Sequence, residues 1–201
     1  MRYLKAMIKE IILASKSEIR KKILEENGIE CKVQPSNVDE EAVKESLLKE
    51  NVSPELISKN LAELKANKIS QKNNDVIVLG ADSVIDLNGQ IISKPTSRNE
   101  ALETLRKLNG KKHYLISSVC ISKNGSMIWN YTDKAELTMK QMDDQELKSY
   151  LSKIEDKILF SYNVYQIEGE GRSLFIKIEG DENTIMGLPI KEIKNYLSLN
   201  L

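Results

Sequence analysis
Asp82 follows an uninterrupted apolar run, Val76-Ile77-Val78-Leu79, through Gly80-Ala81. A run of this length reads as a strand buried on both faces. In open α/β sheets, ligands bind beyond the carboxyl ends of such strands. A carboxylate left where the strand ends is a candidate general base or metal ligand. The other reading is a turn residue capping the strand, since Asp is a common turn former. Gly80 is expected to permit a tight turn or the close approach of a ligand. A second constellation is Ser15-Lys16-Ser17-Glu18-Ile19-Arg20, after the apolar Ile11 to Ala14. Ser17 has the chemistry of an N-cap and Glu18 suits the first turn. A helix start presents free N–H groups to an anion, and Arg20 stands close enough in sequence to join them. An ordinary capped helix with Arg20 in water explains the same residues. The single histidine, His113, is either catalytic or a hydrogen-bonding residue where a loop meets a strand.

These residues need elements to hold them. The pattern predicts a strand within Ile8 to Ser15, a helix from Ser17 to Gly28 and a strand from Ile29 to Val33. Asp39-Glu40-Glu41 opens a helix, and its acids suit a helix start. Ser53-Pro54-Glu55 opens another, with an N-cap and a proline at the first position. That helix continues through Leu56, Ile57, Leu61, Leu64 and Ala66, with Lys59, Lys65, Lys68 and Lys72 read as a solvated face. Asn88-Gly89 marks a hairpin whose return strand, Ile91 to Ser93, delivers Lys94-Pro95. Ser97 to Leu108 is a helix, Tyr114 to Ile121 and Met127 to Met139 are strands, and Asp143 to Ser152 is a helix. Val164 to Ile167 and Leu174 to Ile178 read as short strands, Gly180 to Asn183 as a loop and Ile190 to Leu199 as the last helix. Strands alternate with helices but hairpins interrupt the order, so the fold class is α/β with a mixed sheet. Gly169-Glu170-Gly171 lacks the length and the helix of a dinucleotide fingerprint.

Composition narrows the function classes. Lys+Arg and Asp+Glu are both 30, so net charge is zero. That argues against bulk attraction to nucleic acid or an anionic membrane, while a local basic pocket stays open. Cys31 and Cys120 are far apart and show no metal-ligand spacing, so reduced thiols are expected. No stretch has the length of a transmembrane helix or the apolar core of a signal peptide, and a cytoplasmic protein is expected.

Taken together, the motifs resemble the Maf family of nucleoside triphosphate pyrophosphatases over nearly the whole chain. The family's L-A-S-x-S-P-x-R stands here as Leu13-Ala14-Ser15-Lys16-Ser17-Glu18-Ile19-Arg20. Asp39-Glu40 matches its D-E pair, and Leu61-Ala62-Glu63-Leu64-Lys65-Ala66 its L-A-x-x-K-A. Gly80-Ala81-Asp82-Ser83-Val84 matches G-A-D-T-V, and Gly89 to Pro95 the G-x-x-x-x-K-P that follows. Glu100-Ala101 to His113 and Gly187-Leu188-Pro189 complete the order.

The resemblance implies a single Maf-like domain over residues 1–201, two-lobed, with an elongated mixed sheet flanked by helices and a nucleotide cleft. It implies hydrolysis of a nucleoside triphosphate to monophosphate and pyrophosphate, with Mg²⁺ or Mn²⁺. Ser15, Ser17 and Arg20 would hold phosphate oxygens, and Lys65 and Lys94 would clamp the triphosphate. Glu40 would help hold the metal, and Asp82 would be the general base or a metal ligand. A triphosphate carries about four negative charges, and its transfer chemistry needs positioning and neutralisation above all. No nucleic-acid or membrane partner is implied, and a homodimer is the candidate assembly.

Some positions depart from the family pattern. Glu18 replaces the proline and sets a negative charge beside the phosphate site. Ile19 stands where one branch has its first Arg, and Ser83 replaces Thr. Glu168 stands where the common version has Gln, which looks like the branch acting on 7-methyl-GTP, and a carboxylate can accept hydrogen bonds from a guanine edge. Gly80-Ala81-Asp82-Ser83 sits nearer the branch acting on dTTP and UTP. A second reading, a nucleotide-binding regulator of septum formation with incidental hydrolysis, rests on the family's association and on Glu18.

Overall fold
The computed structural model describes residues 11–200; Ile8 to Glu10 of the first expected strand lie outside them. β1 (Ile11–Leu13) leads into α1 (Glu18–Glu26), and β2 (Lys32–Val33) into α2 (Glu40–Lys49) and α3 (Pro54–Ser70). β3 (Ile77–Leu87) turns back as β4 (Gln90–Ile92) and is followed by α4 (Arg98–Leu108). A long hairpin, β5 (Lys112–Lys123) and β6 (Ser126–Met139), precedes α5 (Asp144–Ser152) and α6 (Asp156–Tyr162). A 3-10 turn (Glu170–Leu174), β7 (Phe175–Glu179), α7 (Glu182–Ile185) and α8 (Ile190–Asn200) complete the chain. Ser17, Asp39, Ser53, Ser97 and Asp143 each accept a hydrogen bond from a first-turn backbone N–H, which is why α1 to α5 start where they do.

The strands form one open sheet in the order β2-β1-β3-β5-β6-β7, with β4 also paired to β3. β1 runs parallel to β2 and β3, and every other pairing is antiparallel. The sheet is mixed, as the interrupted alternation of elements implies. β3 and β5 are long enough to pass through two separate cores. Leu79 and Ile121 pack with Leu24, Ile193 and Leu197 in one. Ile85 and Leu115 pack with Leu105, Leu137 and Leu159 in the other. These cores are the two lobes.

Four expectations need correction. The apolar run does not end at Asp82: β3 continues to Leu87, so Asp82 lies mid-strand. Gly80 makes no turn. A Cβ there would stand 2.3 Å from the Ala62 carbonyl oxygen and 2.7 Å from the Ala66 nitrogen, so the missing side chain admits α3. On α3 the buried stripe is Ile57, Leu61, Lys65 and Ile69, while Leu56 and Leu64 are exposed. Lys65 thus belongs to the buried face, not the solvated one. Val164 to Ile167 is not a strand, because β7 already occupies the free edge of β6. Val164, Tyr165 and Ile167 fill the second core from a turn, with the Val164 carbonyl accepting from Tyr150 Oη at 3.0 Å. The helices α6 and α7 have no counterpart in the residue pattern; Asp181 caps α7 within the expected loop.

His113 is fully buried on β5 and shares a 3.0 Å hydrogen bond with Tyr165 Oη. This is its structural reading, within the second core. Burial pushes its pKa down to about 4. An unfolded chain binds the proton from about pH 6.5 downward. Acid therefore favours unfolding through this group, and its share of stability is lost as pH falls from about 6.5 through 4. His113→Gln is expected to flatten that limb of the stability curve, by on the order of 3 kcal/mol at full span, in denaturant titrations at stepped pH. Gly80→Ala is expected to force α3 away from β3 and cost about 1–3 kcal/mol, read as a lower denaturation midpoint.

Candidate active site
Along one edge of β3 the neighbours change. β1 ends opposite Leu79, where the Ala14 N–H bonds the Leu79 carbonyl at 2.8 Å. β4 pairs only from Ile85 onward, with its last residue, Ile92, opposite Ile85. β5 holds the other edge throughout, from Val78 to Asp86. Gly80 to Val84 therefore form a gap where a parallel neighbour has left and an antiparallel one has not arrived, a switch in topology of the kind that hosts ligands. Alternation along the strand sends Gly80 and Asp82 to the α3 face and Ser83 to the opposite one.

Into this gap α3 delivers Lys65. Its ammonium donates to Asp82 Oδ1 at 2.8 Å and lies 3.0 Å from Glu40 Oε1 and 3.5 Å from the Ala81 carbonyl. Lys65 and Asp82 are buried. An ammonium out of water needs such partners, because an unpaired buried charge is strongly unfavourable. Burial raises the Glu40 carboxyl, but the nearby charge and hydrogen bond of Lys65, with Lys44 and Arg20, outweigh it and the net shift is downward. Asp82 Oδ2 is buried with no hydrogen-bond partner among the described residues.

Arg20 fills the gap from the other side. Its Nη1 donates to the Ala81 carbonyl at 2.9 Å and to Ser15 Oγ at 3.3 Å. Nη2 donates to Ser83 Oγ at 3.0 Å, and Nε to the Gly187 carbonyl at 2.9 Å. Ser117, opposite Ser83 in the β3–β5 register, donates to the Thr184 carbonyl at 2.7 Å. Ser83 must then donate to Ser117, 2.8 Å away. Ser15 Oγ also accepts from the Ser17 N–H, and Ser17 Oγ caps α1. Arg20 is thus not a cation in water but a joint between the α1 turn, β3 and the Gly187 loop.

Around these groups lies a cleft of about 460 Å³. Its lining carries six cations, Lys16, Arg20, Lys44, Lys65, Lys94 and Lys157, against three carboxylates, Glu18, Glu40 and Asp82. The β3–β4 hairpin does return Lys94 to the Asp82 end. The partial desolvation of Lys94 there, and then Arg20, hold its ammonium below the usual lysine range, with Glu40 and Asp82 opposing. Seven of the eight residues singled out from sequence therefore meet at one cleft: Ser15, Ser17, Arg20, Glu40, Lys65, Asp82 and Lys94. Glu168 is not in its lining. It lies exposed in the turn before the 3-10 segment, bonded to Gln166 Nε2 at 2.7 Å, because that turn buries Val164, Tyr165 and Ile167 and directs Glu168 outward. Ser83, Ser117, Lys157 and Ser161 were not singled out for the site. Ser83 stood in a recognised motif, whereas the Ser117 pairing depends on strand register and α6 had no signal in the residue pattern.

Among the described residues, no group of three or more His, Cys, Asp or Glu could hold a metal ion. The pair Asp82 and Glu40 nevertheless has the donor chemistry of a magnesium site, which takes one or two carboxylates with the rest of the shell from waters and phosphates. The unpartnered Asp82 Oδ2 is the oxygen such a cation would satisfy.

The family described as Maf-like protein matches residues 10–199 of the chain. The chain is 74% identical over 193 residues to a nucleoside triphosphate pyrophosphatase of Pelagibacter ubique (strain HTCC1062), covering 96% of this chain and 99% of that one. It is 37% identical over 184 residues to a 7-methyl-GTP pyrophosphatase of Brucella abortus biovar 1 (strain 9-941), covering 92% of each. Among solved structures, a nucleoside-triphosphatase / dITP/XTP pyrophosphatase from Mycobacterium abscessus aligns with 94% of this chain and 92% of its own, at 12% identity and a TM-score of 0.42, too distant to bear on the site. A family match across nearly the whole chain, with relatives at these identities over most of their lengths, shows that the chain belongs to the Maf family.

Proposed function
We propose that this chain hydrolyses a nucleoside triphosphate to the monophosphate and pyrophosphate, as one Maf-like domain acting on free nucleotides in the cytoplasm. One observation carries the reading. Asp82 is held by Lys65 through one oxygen, keeps the other unpartnered and lines a cleft rich in cations. The names of the relatives at 74% and 37% identity support the same chemistry.

The residues divide the work. The lysines of the cleft neutralise the polyphosphate, whose charge must be offset before a nucleophile can approach. The Ser15–Ser17 turn and the start of α1 offer hydroxyl and N–H donors to phosphate oxygens. Asp82 accepts the proton of a water that attacks at the α–β anhydride, and the bond joining these phosphates breaks. Pyrophosphate leaves with its charge offset by lysine ammoniums. Alternatively, Asp82 Oδ2 would serve with Glu40 to hold Mg²⁺ or Mn²⁺, which would supply further charge neutralisation and polarise phosphoryl oxygens, and Asp82 would then not be the proton acceptor. Glu18, exposed at the mouth of the cleft, opposes anion binding. It gives the regulator reading its one specific support: a site that binds nucleotide and turns it over slowly or not at all.

Pyrophosphate release from UTP, dTTP, GTP and 7-methyl-GTP, with Mg²⁺ or Mn²⁺, tests the activity. Turnover of any of them supports it, whereas nucleotide binding without product from any of them moves the weight to the regulator. Asp82→Asn is expected to lower kcat by about 10²–10⁴-fold with the fold kept, checked by circular dichroism; full retained activity would remove Asp82 from the chemistry. Because the Lys94 ammonium titrates below the usual lysine range, it is lost early as pH rises. KM for the nucleotide is therefore expected to climb at alkaline pH, and Lys94→Arg to extend the plateau upward, read from KM against pH.

A further inference from the structure
The cations of the cleft fall into two sets. Arg20 is committed to Gly187, Ser15, Ala81 and Ser83, Lys65 to Glu40 and Asp82, and Lys44 to Glu41. Lys16, Lys94 and Lys157 line the same cleft and have no ion pair or hydrogen bond with a side chain among the described residues. An incoming polyphosphate meets these three without first breaking an internal contact.

Lys157 differs from the other two. It lies on α6, whose Leu159 sits in the second core, and neither the residue pattern nor the family motifs point to it. Its position is nonetheless built. Arg98 pairs with Asp156 at 2.7 Å and donates to the carbonyls of Leu151 at 2.8 Å and Ile154 at 2.7 Å. That clamp ties the start of α6 to α4 and the end of α5, and fully buried Leu159 anchors the helix in the core. Helical spacing then sets Lys157 and Ser161 one turn apart on one face, and both line the cleft. Asp156, the acid next to Lys157, is already spoken for by Arg98 and does not neutralise it.

We infer that Lys157, with the Ser161 hydroxyl beside it, binds a phosphate group of the substrate's polyphosphate chain in this cleft. The substrate then bridges the two lobes. The inference rests on the nucleotide reading of this cleft and adds a binding residue to it.

The test is calorimetric binding of inorganic tripolyphosphate to the full chain at stepped salt, beside nucleotide turnover. Lys157→Ala is expected to weaken tripolyphosphate binding by about tenfold and to make it less sensitive to salt. Lys157→Arg is expected to retain most of the affinity. KM for the nucleotide is expected to rise in parallel in Lys157→Ala, with kcat changed little. Lys153→Ala, which removes an exposed lysine outside the cleft lining, is the control for general charge effects. Unchanged affinity in Lys157→Ala, an equal loss in Lys153→Ala, or no binding of tripolyphosphate by the unmodified chain overturns the inference. If the unmodified chain binds tripolyphosphate through Lys157 but turns over no nucleotide, the enzymatic reading fails and the binding role stands. If nucleotide turns over and Lys157→Ala leaves it and the binding unchanged, only the role of Lys157 falls.

Discussion
A helix can lie against a strand as closely as α3 lies against β3 only where the strand has no side chain. Gly80 provides that position, with Ala62 and Ala66 as the small residues facing it. The consequence reaches one residue pair further on each element: Lys65 of α3 comes within 2.8 Å of Asp82 of β3. Ser58, nearer the start of α3, donates to the Asp82 carbonyl at 3.1 Å and holds the same alignment. Once Lys65 is buried, it requires anions, and Asp82 and Glu40 are drawn together around it. The Asp82 and Glu40 carboxylates are thus assembled around Lys65 by the packing of a glycine.

The opposite face of β3 follows a different constraint. Where β1 stops pairing, the Ala81 carbonyl of β3 has no donor from a neighbouring strand on that edge. Arg20 supplies it at Ala81 and spends its remaining donors on Ser15, Ser83 and Gly187. Gly187 has φ +96, and a Cβ there would crowd Ser83 Oγ at 3.0 Å and Arg20 Nε at 3.2 Å. The loop after α7 is therefore shaped to let its backbone reach the guanidinium. A fork of fixed N–H groups suits this joint better than a point-charge ammonium. Arg20 and Lys65 are thus occupied in holding the site together, whereas Lys16, Lys94 and Lys157 have no side-chain partner among the described residues.

Much of this arrangement was legible in the residues. Ser17, Asp39, Ser53, Ser97 and Asp143 marked helix starts because N-capping is local chemistry. Asn88-Gly89 marked the β3–β4 hairpin, since both residues adopt positive φ there. The motif order placed Ser15, Arg20, Glu40, Lys65, Asp82 and Lys94 at one site, and the fold brings them to one cleft. The burial of Lys65 has a signal in the sequence: Ile57, Leu61, Lys65 and Ile69 share one helical stripe, and a lysine in such a stripe is buried with a partner. Val164 to Ile167 has the residues of a strand and is none, because an apolar cluster pairs as a strand only if a sheet edge is free, and occupancy of an edge is not a local property.

Short-range chemistry was therefore enough for the caps, the hairpin, the mixed α/β class and the identity of the charged residues, because each depends on neighbours within a few positions. Long-range register decided the rest. That β3 runs on past Asp82, that Ser83 meets Ser117, that Arg20 spans to Gly187 and that α6 lines the cleft while Glu168 does not are relations between residues far apart in the chain. They exist only after strands have taken their neighbours and the two cores have closed around them.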